Sequence, residues 1–499
     1  MAFRSVKNLL SYYKMRRHSL ISLRHISRHI RQPTNYSHPE LLGKDELLPG
    51  ITKMEFARRR RRLMEEISKT HSGMTNANHV LIIPASKVQY MSQDIFYRFH
   101  QNNDFLYFTG FQEPDAVLII ESNSSSPLPD HNTVLYVTDR DPFREKWEGP
   151  VLGPDDAVDY FGVDEAYSIT LLSEHLERKY SKGGYSVWYY GERETPATIS
   201  DSIDVTIHQH LLNVPGSRIT SNHSLLYHMH TLRAIKSEGE ISLMRRAGEI
   251  AAGAFKKVMS LTVPGMYEYQ LESHFEHYCR MNGGQRLAFV PVVAGGERAC
   301  HIHYTTNELK LNEGELVLLD GGVEYCGYVS DITRTWPVNG RFTAAQRDLY
   351  EAVLRVKEAC IKCCQVGVTL NYIHSVSKEL LQEELKKLEI LPTDLDGPDL
   401  IQALNSLYPH DIGHYLGMDV HDTPLLSHNV VLQPGMVITV EPGVYVRRDF
   451  PIKNHIKAKE FLGAAVRIED DVLITSDGPQ VLNKGTPQTV EEISVIINK

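Results

Sequence analysis

The chain reads as an α/β (α+β) protein of two domains, and three observations carry that reading. Residues 78–220 alternate short apolar strands with polar helical stretches. Residues 315–336 read as a β-hairpin, and a further strand pair follows it after two long helical patterns, at roughly 343–365 and 370–390. At 499 residues, 42% hydrophobic and 23% charged, the chain has ample core for two domains.

The first 39 residues contain no Asp or Glu, while Arg4, Lys7, Lys14, Arg16, Arg17, Arg24, Arg28 and Arg31 stand among Ser, Leu and Ile. That make-up is a matrix-targeting presequence, expected over 1–31 with cleavage near Arg31, and is set aside from fold reasoning. A disordered basic arm is the plainer alternative. The expected destination is the mitochondrial matrix, with a cytoplasmic fraction of unimported copies left open. Removing 1–31 takes the formal charge from −9 to −17, since eight positive and no negative charges leave. An acidic mature chain argues against nucleic-acid binding. No apolar run reaches the roughly 18 residues needed to span a bilayer, so no membrane span is expected.

Arg58 to Arg62 form a basic run, but Phe56, Leu63 and Ile67 recur around it at helical spacing and Glu65-Glu66 follow. The expectation is the solvated basic face of one helix. From 78 onward, HVLIIPA, AVLIIES, TVLYVTD and YSVWYYG read as strands of an α/β domain spanning 32–230. Neither a GxGxxG after a strand nor a phosphate-loop pattern occurs, so no nucleotide site is suggested. The domain boundary is expected at 225–235. Beyond it Ile241, Met244, Ala247, Ala251 and Phe255 give a helix face, opening a second domain over 231–499. Pro264-Gly265, Gly283-Gly284 and Gly295-Gly296 are loop signals. Cys360, Cys363 and Cys364 fall on the helical AVLRVKEACIKCCQ and read as packed free thiols, consistent with a reducing compartment.

The chemistry gathers further on. In GELVLLDGGVEYCGYVSDITRTW, Leu316, Leu318 and Asp320 share one strand face, and Val329, Asp331, Thr333 and Thr335 share one face of the partner strand. The two carboxylates can therefore be cross-strand neighbours. On a mostly apolar face they repel and are poorly solvated unless protonated or neutralised by cations. Taken alone, one or both could equally be solvent-facing hairpin charges. PHDIGHYLGMDVHD then supplies His410, His414 and His421 among glycines, VITVEPGVY puts Glu441 at a strand end, and Arg467, Glu469 and Asp471 share a face of VRIEDDVLIT. Four carboxylates and an imidazole form a hard, oxygen-rich set without sulfur, suited to a pair of divalent ions, Mn²⁺, Co²⁺ or Zn²⁺, better than to a structural zinc.

At these residues the chain resembles the pita-bread metallopeptidases, the family of Xaa-Pro aminopeptidases, prolidases and methionine aminopeptidases. Five ligand positions match in order, each in its own motif: Asp320, Asp331, His414, Glu441 and Glu469. FYRFHQNNDFLYFTGFQEPDAVLII and LRAIKSEGEISLMRRAGEIAAGAF resemble the N-terminal domain and junction of aminopeptidase P. The resemblance implies a pseudo-twofold pita-bread domain whose two α/β halves bring the ligands together. It implies an N-terminal domain that restricts access and helps a homodimer form. Two divalent ions, Mn²⁺ in first place, are implied, with Asp331 and Glu469 shared between them, Asp320 completing one and His414 and Glu441 the other. Glu441 is implied as proton acceptor for the attacking water, and His303 and His421 as the groups steadying the tetrahedral intermediate. His410 and Arg467 are implied to shape the proline-side pocket and Tyr445, a further substrate-binding residue, to stand near the metals, with His301 a bystander. Tyr97, Asp104 and Tyr107 touch substrate or serve as core and rim residues.

The expected activity is release of an N-terminal residue from peptides or proteins with proline second, in processing of imported proteins. Proline lacks an amide N–H and fixes φ, so proteases that bind extended strands lose a contact there. A prolidase restricted to dipeptides is the alternative, and a ligand-binding protein on an inactive scaffold the remote one. All five ligand types are intact, which disfavours the latter.

Overall fold

In the computed structural model, the residues described are 30–70, 78–123, 128–180, 184–189, 206–207, 210, 218–219, 222–451 and 457–497. The targeting segment expected over 1–31 lies outside the described residues, apart from its last two positions.

The four apolar runs of the N-terminal region form strands β1 (Asn78–Pro84), β2 (Val117–Ser122), β3 (His131–Val137) and β5 (Tyr185–Tyr189). With β4 (Glu165–Ser168) and β6 (Arg218–Ile219) they make a six-stranded mixed sheet of order β4-β3-β2-β1-β5-β6. Pairing is antiparallel across β1–β2 and β2–β3 and parallel across β3–β4, β1–β5 and β5–β6. Both faces of β1 are covered, so Val80, Leu81, Ile82 and Ile83 are all buried and the strand is apolar throughout.

Helix α1 (Lys53–Thr70) corrects the expectation of a solvated basic face. Arg58, Arg61 and Arg62 are exposed, whereas Arg59 and Arg60 are buried. The reason is helix α2 (Asn103–Thr109), whose last-turn carbonyls have no partner within the helix. Arg59 Nη1 donates to Tyr107 O at 3.1 Å, and Arg60 Nη1 to Phe108 O at 2.9 Å.

Helices α3 (Asn222–Ala234) and α4 (Glu238–Leu261) are separated by a short break at 235–237, with Ser237 and Glu240 forming a capping box. After α5 (Glu268–Met281), strands β7 (Val292–Gly295), β8 (Leu316–Gly321) and β9 (Ile332–Pro337) form one sheet. Helices α6 (Ala344–Cys363) and α7 (Leu370–Lys387) follow as expected. The second half is built of β10 (Val437–Val440), β11 (Gly443–Val446), β12 (Ala464–Arg467), β13 (Asp470–Thr475) and β14 (Gly478–Val481). All six cysteines are free, and Cys360 and Cys364 are buried. Among the described residues no helix is long and apolar enough to cross a membrane.

The β8–β9 hairpin runs in one register from Leu316↔Pro337 to its tip at Tyr325↔Tyr328. The turn is Cys326-Gly327, with φ of 51° and 82°, a two-residue turn of positive φ. Gly321-Gly322 therefore interrupts the ladder without turning the chain. A Cβ on Gly322 would stand 1.8 Å from Ser330 O, so only glycine lets the strands close there.

Two α/β halves of like construction thus follow one another, and they are stitched together at the hairpins. Glu469 N donates to Thr333 O at 3.0 Å, and Thr335 Oγ1 to Arg467 O at 3.0 Å. One apolar core fills the C-terminal half, around Phe255, Phe275, Trp336, Tyr350 and Leu432. A second is shared: Phe56, Phe105, Phe108 and Leu118 pack in one cluster with Tyr328, Leu416, Val437 and Leu473.

Candidate active site

The first hairpin delivers Asp320 near the end of β8 and Asp331 just before β9. Asp320 pairs with Thr333, so Asp331 lies on the diagonal rather than directly opposite, in line with Gly322. In the second half the ladder of β10 with β13 ends at Val440↔Asp470, and that of β11 with β12 begins at Gly443↔Arg467. The register is unchanged across the gap, which places Glu441 opposite Glu469 within it.

His414 comes from the loop ahead of β10. Its backbone N donates to Thr439 Oγ1 at 3.0 Å and its carbonyl accepts from Thr439 N at 2.9 Å. A Cβ on Gly413 would stand 2.0 Å from Thr439 O, which explains the glycine at this close approach. His414 Nδ1 donates to Tyr415 O at 3.0 Å, leaving Nε2 as the ligating atom. That Nε2 is 3.5 Å from Asp331 Oδ2 and 3.6 Å from Glu441 Oε1. Asp331, His414 and Glu469 each offer an atom within 4.8 Å of the others, a spacing that can hold a metal ion.

The electrostatics point the same way. Burial, with Asp331 nearby, pushes Asp320 up to about 6 against the opposing pull of Arg467. Burial and the neighbouring carboxylates push Glu441 up to about 7 and Glu469 well above the usual range. Burial works against a charged His414, yet Asp331 and Glu441 raise it to about 9. Asp320 Oδ1 and Asp331 Oδ1 are buried without a hydrogen-bond partner, a costly state for carboxylates. Without cations the cluster holds on to protons; the donor set fits divalent ions that would replace them.

Arg467, 1% exposed, organises the next layer. Its Nη2 donates to Asp320 Oδ2 at 2.6 Å, its Nε to Thr333 Oγ1 at 3.1 Å and its Nη1 to Tyr445 OH at 2.8 Å. Tyr445 OH in turn donates to His410 Nε2 at 2.8 Å, while His410 Nδ1 donates to Asp411 O at 2.8 Å. Burial and Arg467 lower His410 to about 3, so it stays neutral. The His421 ring lies 4.4 Å from that of His414, centroid to centroid, and burial and His414 lower its pKa. His303 is exposed on the 296–311 loop, near enough for its charge to depress both His410 and His421; His301 is exposed beside it.

Three roles had no sequence signal. Thr333 Oγ1 donates to Glu469 Oε2 at 2.6 Å, Thr439 seats His414, and both Asp471 oxygens accept from Asp331 N at 3.1 and 3.2 Å. Thr333 and Asp471 are legible in the sequence only as residues on the correct strand face. Of the N-terminal candidates, Tyr107 is core, its OH donating to Leu232 O at 3.3 Å, and Asp104 is buried in an ion pair with Arg233. Tyr97 is 54% exposed.

A carboxylate–imidazole centre between two α/β halves defines a metallopeptidase. Residues 242–476 match the model of metallopeptidase family M24, and residues 56–188 that of the aminopeptidase P N-terminal domain. The chain is 42% identical to Xaa-Pro aminopeptidase 3 of Rattus norvegicus over 474 residues, 95% of this chain and 91% of the relative. It is 37% identical to the mitochondrial intermediate cleaving peptidase 55 of Arabidopsis thaliana, over 94% of this chain and 88% of that one. Aminopeptidase P from Escherichia coli with the inhibitor Pro-Leu superposes with a TM-score of 0.79 at 33% identity, covering 90% of this chain and 98% of that chain. The chain belongs to metallopeptidase family M24 and is a metal-dependent aminopeptidase of pita-bread fold with an N-terminal domain.

Proposed function

We propose that this aminopeptidase cleaves after the first residue of peptides and proteins whose second residue is proline, and that it works in the mitochondrial matrix on imported proteins. Similarity to relatives named for Xaa-Pro cleavage and for mitochondrial intermediate cleavage supports the reading. The observation that carries it is the buried cluster of Asp331, His414 and Glu469 with two orphaned carboxylate oxygens.

In this reading Asp320, Asp331, His414, Glu441 and Glu469 would hold two divalent ions, Mn²⁺ by preference. Bound there, the ions supply Lewis acidity that brings the pKa of water down to about 7. Glu441 would be the carboxylate that takes up the proton of the attacking water. His421 and His303 donate hydrogen bonds to the carbonyl oxygen as charge builds on it. His410 and Arg467, joined through Tyr445 OH, shape the proline-side pocket. The domains divide as 32–230 and 231–499, and two copies associate as a homodimer.

The test is hydrolysis of an Xaa-Pro-Pro peptide by the metal-stripped protein refilled with Mn²⁺, beside Asp331→Ala. Metal-dependent release of the first residue, absent in the variant, supports the reading. Cleavage of an Xaa-Pro dipeptide alone would replace it with a prolidase.

A further inference from the structure

His421 reaches the active site from a loop whose geometry is set by the other domain. The loop 415–423 is closed by Asp422 N donating to Tyr415 O at 2.9 Å and by Gly417 N donating to Asp419 O at 3.1 Å. Behind it lies a buried ion cluster. Arg233, at the end of α3, donates from Nη1 to Asp104 Oδ1 at 2.7 Å and from Nη2 to Asp422 Oδ1 and Asp419 Oδ2, both at 2.5 Å. Lys236 Nζ takes the other Asp422 oxygen at 3.1 Å. Next to Asp104, Asn103 Nδ2 donates to Met418 O at 3.0 Å and Asp419 Oδ1 at 2.6 Å.

Arg233, Lys236, Asp104 and Asp422 all have side chains no more than 5% exposed. Two buried cations thus face two buried carboxylates, where each group depends on its partners, with the half-exposed Asp419 closing the cluster at its rim. A Cβ on Gly417 would stand 2.5 Å from Asp422 Oδ2, so the loop has no slack on this side. Asp104 and Asn103 belong to α2 of the N-terminal domain, Arg233 to the junction helix, and Asp422 directly follows His421.

We propose that Asp104 is a positioning residue for catalysis: through Arg233 and Asp422, the N-terminal domain holds His421 at the reaction centre. This rests on the role given to His421 above. The N-terminal domain is then part of the catalytic apparatus without touching substrate.

Asp104→Asn keeps the shape and removes one charge from the seam. It should lower kcat on an Xaa-Pro-Pro peptide by between about 10- and 100-fold, the scale of a misplaced group, with KM held within about two-fold. In a His421→Ala background the same substitution should lower kcat by less than about three-fold, since the residue it positions is gone. Asn103→Ala removes the uncharged tie to the same loop and should follow the same pattern if Asp104→Asn folds poorly. Hydrogen–deuterium exchange gives a readout free of activity: amides of 415–423 should exchange faster in either variant, and those of 296–311 should not. Equal losses in both backgrounds, or unchanged exchange at 415–423, would overturn the proposal. Absent activity in the wild type would defeat the aminopeptidase reading, while the exchange result still decides the coupling.

Discussion

Glu441 and Glu469 stand opposite one another, in register, across the gap where one ladder ends at Val440↔Asp470 and the next begins at Gly443↔Arg467. Like charges in direct cross-strand apposition destabilise a sheet. In the proposed reading the hairpin tolerates them because the gap is where the cations would sit.

Replacing Glu469 with Gln should therefore act in opposite directions on stability and activity. The metal-stripped variant should melt higher than the metal-stripped wild type at neutral pH, because Gln is spared the proton uptake that burial and the neighbouring carboxylates force on Glu469 when the chain folds. Its peptide hydrolysis should fall by roughly 10³-fold, the equivalent of several kcal/mol of lost cation stabilisation. Calorimetry and a peptidase assay on the same preparation check both, and a lower melting point for the stripped variant contradicts the first.

The pH dependence of the cation-free protein has a definite sign. Asp320 is pushed up to about 6, Glu441 to about 7 and His414 to about 9. Each binds its proton more tightly when folded, so its contribution is present at low pH and is lost as pH climbs through the folded value. The window opens near the ordinary carboxylate pKa of about 4 and closes near the His414 value. Cation binding needs these groups deprotonated, so the melting-temperature gain on adding Mn²⁺ should grow between about pH 5 and pH 8. A gain that shrinks over that range would refute the assignment.

Thr333→Val removes the hydroxyl that Glu469 accepts from and that Arg467 donates to, at nearly constant volume. Outer-layer partners of ligands typically contribute 10–100-fold to metal affinity, so a loss of roughly that size is expected in a metal titration. An unchanged affinity would mean that Thr333 only packs.

Gly322→Ala places a methyl group 1.8 Å from Ser330 O, against backbone that cannot step aside. Overpacking of this kind costs about 1–3 kcal/mol. Because Asp331 lies in line with Gly322, Mn²⁺ affinity should fall with stability, which denaturant melts and a metal titration would show together.

Much of this architecture was legible beforehand. The apolar runs of the N-terminal sheet announced themselves because both faces of its strands are covered. Arg467, Glu469 and Asp471 were readable as one face because the register continues through the break in the second hairpin, although that break divides what looked like a single strand. Arg59 and Arg60 were misread as solvated: a helical repeat places residues on a face but does not reveal that another helix ends there with free carbonyls. Asp104 was readable only as a substrate contact or a core and rim residue, since its partner Arg233 lies 129 residues away in sequence and Arg233's own partner Asp422 a further 189. Such contacts are made by tertiary folding and leave no local trace.

The apolar cluster that joins Phe105 and Phe108 to Tyr328, Leu416 and Leu473 makes the two domains one unit of folding. A scanning calorimeter should record a single endotherm rather than two. A chain begun at residue 231 would leave Ile241, Tyr328, Leu416 and Leu473 without the side chains that bury them and should collect in the insoluble fraction, so the two halves of this enzyme should be exchangeable between relatives only as a pair.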